Sequence, residues 1–206
     1  LAHYGGHPTV SRRLAEQSIE GYRRRGDAHG VAVAMGVLGD LDLYGALEES
    51  VRRSREAAAS LEPTGDSYYL SYVLVNLASG LAQLGDSIEG ERTVRRAIAV
   101  AQHDHPYRLA VGVRVLANIV RLRGDLVAAD RIHAESDSLV TGLDEPRFGA
   151  TWFAEWAVVA AGLGDIERAR DVAAVETAHV MGQAVDPTGT IVAAIRRRYD
   201  LKGVPA

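Results

Sequence analysis

The sequence predicts an all-α protein, an α-solenoid of about ten helices stacked as antiparallel pairs. Three observations carry this. Glycine closes an apolar stretch five times, at Gly6, Gly39, Gly85, Gly124 and Gly164, and aspartate follows the last four as Asp40, Asp86, Asp125 and Asp165. The intervals of 33, 46, 39 and 40 residues point to a repeat of about 40. Upstream of these glycines, apolar and small residues recur at i, i+3, i+4 and i+7, one face of an α-helix. Downstream, Pro63, Pro106, Pro146 and Pro187 follow at 24, 21, 22 and 23 residues, where proline disfavours helical geometry in the residue before it. No strand-like alternation competes.

The elements follow in order. Leu1–Gly6 reads as the last turn of a first helix and its exit, and Ser11, Ala15, Ser18 and Ile19 continue as a second helix over 9–24. A repeat already under way at Leu1 is the expectation for a fragment of a larger protein, because a solenoid unit does not bury its face alone. A helix over 28–38 carries Ala28, Val31, Ala32 and Met35 ahead of Gly39, and 42–60 is its partner. Five residues past the glycine the other units place a small residue: Ser11, Gly90, Ala129 and Ala169. Here Tyr44 stands instead, beside Gly45 and Ala46, so this helix is expected to be shifted in register, in keeping with the 46-residue interval. The turn Glu62–Asp66 leads to 67–84, faced by Leu74, Leu77, Ala78 and Leu81. Asp86 and Glu89 have capping-box spacing and open 87–102. After His103–Pro106 come 107–122 (Val113, Leu116, Ala117, Val120) and 126–140. After Thr141–Pro146 come 147–162 (Phe153, Trp156, Ala157, Ala160) and 166–182. Val185–Gly189 precedes a terminal helix over 188–199 that ends in Arg196, Arg197 and Arg198. The expected organisation is one domain: a partial unit 1–27, units 28–66, 67–106, 107–146 and 147–187, and a terminal helix within 188–206.

The run Asn76-Leu-Ala-Ser-Gly-Leu-Ala-Gln-Leu-Gly-Asp86, with Gly90, Val94 and Ala97 downstream, resembles the tetratricopeptide repeat (TPR). The resemblance extends over nearly the whole chain and implies a right-handed solenoid. The family's standard unit is about 34 residues, and the glycine-to-proline distances place the extra length here in the second helix. Such long units resemble the helical arms of bacterial signal-transduction ATPases, including LuxR-type and antibiotic-pathway transcription regulators. The resemblance implies a non-catalytic arm that senses or transmits a signal while other domains bind nucleotide and DNA. The expected partners are a protein, a peptide or other domains of the same protein. The alternative is a stand-alone receptor for a peptide or small ligand, holding anionic groups in the concave groove.

Composition narrows the other classes. A net charge of −4 gives no basic field for direct nucleic-acid or membrane binding. The absence of cysteine excludes disulfides and thiolate metal sites and fits a reducing cytoplasm. Of 23 basic residues only Lys202 is lysine, a bias that arginine-rich codon usage explains. No phosphate-binding loop, nucleophile elbow or His-Glu-x-x-His helix occurs, so neither an enzyme nor a cofactor is expected. His103-Asp104-His105 carries ligand-type side chains, but a zinc site needs three or four converging ligands, and this segment reads as a solvated loop. His133 reads as a packed, hydrogen-bonded core histidine. Arg25-Gly26-Asp27 and Arg123-Gly124-Asp125 read as cap chemistry rather than adhesion motifs.

Helical solenoids bind on the concave side lined by first helices. The residues off the packed face there include Tyr72, Ser79, Gln83, Arg114, Asn118, Arg121 and Glu155. Arg114 and Asn118, four apart, share a helix face with Arg121 one turn on, a set suited to a carboxylate or phosphate. Arg114 and Asn118 resemble the cation and asparagine with which TPR domains clamp a peptide's terminal carboxylate. Glu155 and Val75 stand where the neighbouring units would complete that clamp.

Overall fold

A computed structural model describes residues 8–101, 104–143 and 145–180. Among them are nine α-helices and no strand: α1 (Pro8–Arg24), α2 (Ala28–Asp42), α3 (Leu47–Leu61), α4 (Ser67–Gln83), α5 (Ser87–Ala101), α6 (Pro106–Leu122), α7 (Leu126–Thr141), α8 (Pro146–Gly162) and α9 (Ile166–Val180). The expected helix 188–199 and the Leu1–Gly6 turn lie outside the described residues. The chain divides into two compact units, one up to Val115 and one from Leu116, with the division inside α6. In the first unit each helix from α1 to α5 packs on the next, and α2 also reaches α4. In the second, α7 packs on α8 and α8 on α9.

Turn chemistry explains most boundaries. Gly26, Gly65, Gly85, Gly124 and Gly164 all have φ between 67° and 94°, the left-handed region that a Cβ disfavours. After Gly26, Gly85, Gly124 and Gly164 the aspartate N–H closes the helix behind, as in Asp86 N–H to Leu81 O (2.9 Å) and Asp125 N–H to Val120 O (3.2 Å). Each aspartate carboxylate then opens the helix ahead: Asp27 accepts from Gly30 N–H, Asp86 from Glu89 N–H, Asp125 from Ala128 N–H and Asp165 from Arg168 N–H, at 2.8–3.1 Å. The reciprocal half of a capping box is not made at Asp86. Its N–H belongs to Leu81 O, and the Glu89 carboxylate turns to Arg92. Both Arg-Gly-Asp sequences are turns of this kind.

Gly39 corrects the sequence reading. It does not end a helix: α2 runs through it to Asp42, and α3 starts at Leu47 rather than 42. The first helices start at Ala28, Ser67, Pro106 and Pro146, spaced 39, 39 and 40 residues, so the unit after Gly39 is in register after all. In that register Met35, Leu38, Gly39 and Asp42 stand where Leu74, Leu77, Ala78 and Leu81 stand one unit later. Gly39 is therefore the small third-place residue, not the punctuation. The small residue missing from the second helix is Ser50, fully buried, whose hydroxyl donates to Gly39 O at 2.6 Å. The same crossing recurs at Ala78 and Gly90, where a Cβ on Gly90 would lie 3.0 Å from Ala78 O.

Asp42 is the charged member of this otherwise apolar set. It is 2% exposed and is held by Arg12 of α1 at 2.6 Å and Arg53 of α3 at 3.2 Å. The carboxylate thus ties three consecutive helices where the next unit uses the apolar contact of Leu81.

Candidate functional site

In the first unit the N-terminal ends of α2, α4 and α6 are joined by a band of imidazole, phenol and guanidinium groups. The first links are made at the α4 cap. Asp66 accepts from Tyr69 N–H at 3.0 Å while its other oxygen meets His29 Nε2 at 2.8 Å. The Tyr69 ring stands edge-on to His29 and to Tyr68, and Tyr68 is edge-on to His105 with centroids 5.4 Å apart. His105 Nε2 lies 2.9 Å from Ser67 Oγ. At the centre Arg108, only 8% exposed, donates from Nη2 to Tyr68 Oη at 2.9 Å. Its guanidinium carbon lies 4.6, 4.8 and 5.5 Å from the ring centroids of Tyr68, Tyr72 and Tyr107. Tyr72 Oη donates to Asp40 at 2.8 Å, returning the chain of contacts to α2.

Burial alone would raise the Asp66 carboxyl. The Tyr69 N–H and His29 outweigh it and hold the group below the usual aspartate value. The band sets the Ser67 hydroxyl against the His105 imidazole, while the Asp66 carboxylate is engaged by His29. Its aromatic faces, hydroxyls and half-exposed imidazole suit recognition by stacking and hydrogen bonding.

The sequence-derived groove residues are distributed as follows. Tyr72 belongs to the band. Ser79 is half-buried and its hydroxyl donates back to Val75 O, and Gln83 is exposed at the end of α4. Arg114 is half-buried on the first-unit part of α6. In the second unit Arg121 donates to Asn118 Oδ1 at 2.7 Å, so this pair bonds to itself along one helix, and Glu155 is half-buried on α8.

The second unit has a polar–aromatic core of its own. His133, 1% exposed, packs edge-on to Trp152 at 4.5 Å and stacks on Trp156 at 5.9 Å. Trp156 Nε1 and Arg168 Nη1 both donate to Asp130 at 2.8 Å, joining α7, α8 and α9. The packed position expected for His133 is where it sits. Of the loop histidines, His105 is engaged with Ser67, and His103 lies outside the described residues. Among the described residues no group of three or more ligand-type side chains is placed to hold a metal, and no helix is long and apolar enough to cross a membrane.

Sequence reasoning missed Arg108, Tyr68, His29 and Asp66, which pair across 37 to 40 residues. The signal available was the register itself, since His29, Tyr68 and Tyr107 recur at intervals of 39. Compared with known proteins, the chain matches no family model and no curated protein.

Proposed function

We propose that the chain is a non-catalytic, protein-binding arm: a right-handed, TPR-like α-solenoid of about ten helices, working in the cytoplasm as part of a larger bacterial transcriptional or signalling regulator. The observation that supports this reading best is the recurrence of one helix pair at 39–40 residues, with small residues at the crossings where Gly39 meets Ser50 and Ala78 meets Gly90. Repeats of this kind produce extended surfaces rather than enclosed reaction sites. The band on α2, α4 and α6 adds aromatic and hydrogen-bonding groups suited to a protein or peptide partner, or to another domain of the same protein. Large aromatic groups with polar tips are the residues on which such interfaces concentrate their energy.

Site-directed photo-crosslinking in the native host tests this. A photoreactive phenylalanine replaces Tyr68, Ser79 or Gln83 on the first helices, or Arg55, Glu56 or Arg95 on the second helices. The reading expects one protein adduct, or one intramolecular adduct to another domain, from the first-helix set and none from the second. Equal adducts from both sets, or adducts only from the second, would refute the assignment of the face.

A further inference from the structure

We infer that the band on α2, α4 and α6 binds a proline-rich peptide in the polyproline II conformation, with proline at every third residue. This rests on the reading that the first helices meet a protein partner, and it names the chemistry of the segment that docks.

A ladder of rings carries the inference. His29, Tyr68 and Tyr107 stand 39 residues apart, each at the second position of its first helix. Every first helix of this unit therefore offers one ring at the same height. The His29 side chain is 42% exposed and Tyr68 is 38% exposed, while Tyr107 is half-buried. Other groups brace the rungs. Tyr69 touches the first two, with centroids 6.2 Å from His29 and 5.2 Å from Tyr68. Arg108 touches the last two, 4.6 Å from Tyr68 and 5.5 Å from Tyr107.

The spacing selects the backbone of the ligand. Packed helices lie about 8–10 Å apart axis to axis, so rungs at one helix position recur at about that interval. A polyproline II helix has three residues per turn and rises about 3.1 Å per residue, which returns every third side chain to one face after about 9.3 Å. A strand repeats its face at about 6.7 Å, which is too short. Two turns of an α-helix span about 10.8 Å, but an α-helix spends its carbonyls internally. Hydrogen bonding then decides. Tyr68 Oη accepts from Arg108 Nη2, so its own proton is left to donate outward. The Asp66 carboxylate is already engaged by Tyr69 N–H and His29. A polyproline II chain supplies carbonyls with no internal partner, and proline brings no N–H that would need an acceptor. Its rings dock on aromatic surfaces, and the preformed helix costs little ordering entropy.

The test titrates two capped peptides of equal length, about twelve residues, into the full chain and follows ¹H–¹⁵N spectra. One repeats Pro-Ala-Ala and the other repeats Pro-Ala. The triplet peptide should give saturable shifts centred on His29, Tyr68 and Tyr107. The doublet holds more proline but sets only half of one face with it, and should bind at least about threefold more weakly. Tyr68→Phe keeps the rung and removes the donor, and should weaken the triplet about fivefold. His29→Ala removes a rung and should weaken it about tenfold, with the circular dichroism spectrum unchanged in both variants. The proline-rich assignment is overturned if the triplet gives no saturable shift, if the doublet binds as well, or if the shifts fall away from the three rungs. A protein adduct from Ser79 that excess triplet peptide fails to displace also overturns it, while leaving the partner face standing. Failure of the face itself shows instead as missing first-helix adducts.

Discussion

Gly39→Ala, alone and combined with Ser54→Ala, separates a helix-ending glycine from a helix-packing one. Gly39 lies inside α2 with ordinary helical φ, so alanine gains about 0.5–1 kcal/mol of helix propensity there. Against this, the new Cβ would sit 2.6 Å from Ser54 Oγ, 3.5 Å from Ser50 O and 3.6 Å from Ser54 N. Only the first of these is too close, and relieving such overpacking costs about 1–3 kcal/mol. The single variant should therefore lose about 0.5–2 kcal/mol. Ser54 Oγ is itself buried without a hydrogen-bond partner, so Ser54→Ala alone should be neutral or mildly stabilising. With the hydroxyl gone, the double variant should match or exceed the wild type by about 0.5–1 kcal/mol. Coupling of that sign and size is what touching residues show. Urea unfolding followed at 222 nm measures it, through the midpoint at constant slope. Gly85→Ala is the control: its φ of 94° costs about 1–2 kcal/mol whatever the neighbours do, and nothing lies within 4 Å to be relieved. If Ser54→Ala fails to rescue Gly39→Ala, so that Gly39 behaves like Gly85, the assignment of Gly39 to the helix crossing is wrong.

Three further perturbations probe the buried polar links. Asp42→Leu, which installs the residue of the next unit, should keep stability within about 1 kcal/mol of wild type, whereas Asp42→Ala should cost about 1–3 kcal/mol, less than a fully buried pair because Arg12 and Arg53 are partly exposed; equal losses in thermal unfolding would contradict this. Asp66 has a lowered carboxyl pKa, so its contribution is complete above the ordinary value of 3.8 and is lost as pH falls through the lowered one. The stability gap between wild type and Asp66→Asn should accordingly close as pH falls through the lowered carboxyl value, and a gap that persisted below it would reverse the sign of the argument. Arg108→Lys keeps the charge but not the planar stacking on three tyrosine rings, and should cost about 1 kcal/mol with a melting-temperature loss of roughly 2–4 °C; an unchanged melting temperature would remove Arg108 from the energetics of the band.

What was legible in the sequence was whatever a single helix and its turn decide. Leu74, Leu77, Ala78 and Leu81 name their own face, and Gly85-Asp86 names its own turn, because left-handed glycine and an N-cap carboxylate act within six residues. Asp42 was illegible for the opposite reason. A carboxylate in the apolar set breaks the period, and only Arg12 and Arg53, brought from two other helices, make its burial tolerable. With Asp42 hidden, the apparent face of α2 at Ala28, Val31, Ala32 and Met35 lies seven residues too early, and Gly39 looks like an end. The remedy lies in which landmark sets the register. Glycine occurs both where backbones turn and where they cross closely, so it is ambiguous, whereas the helix start, set by an aspartate cap before Ala28 and Ser67 and by proline at Pro106 and Pro146, recurs at 39, 39 and 40. Columns counted from helix starts bring His29, Tyr68 and Tyr107 together and pair Asp42 with Leu81.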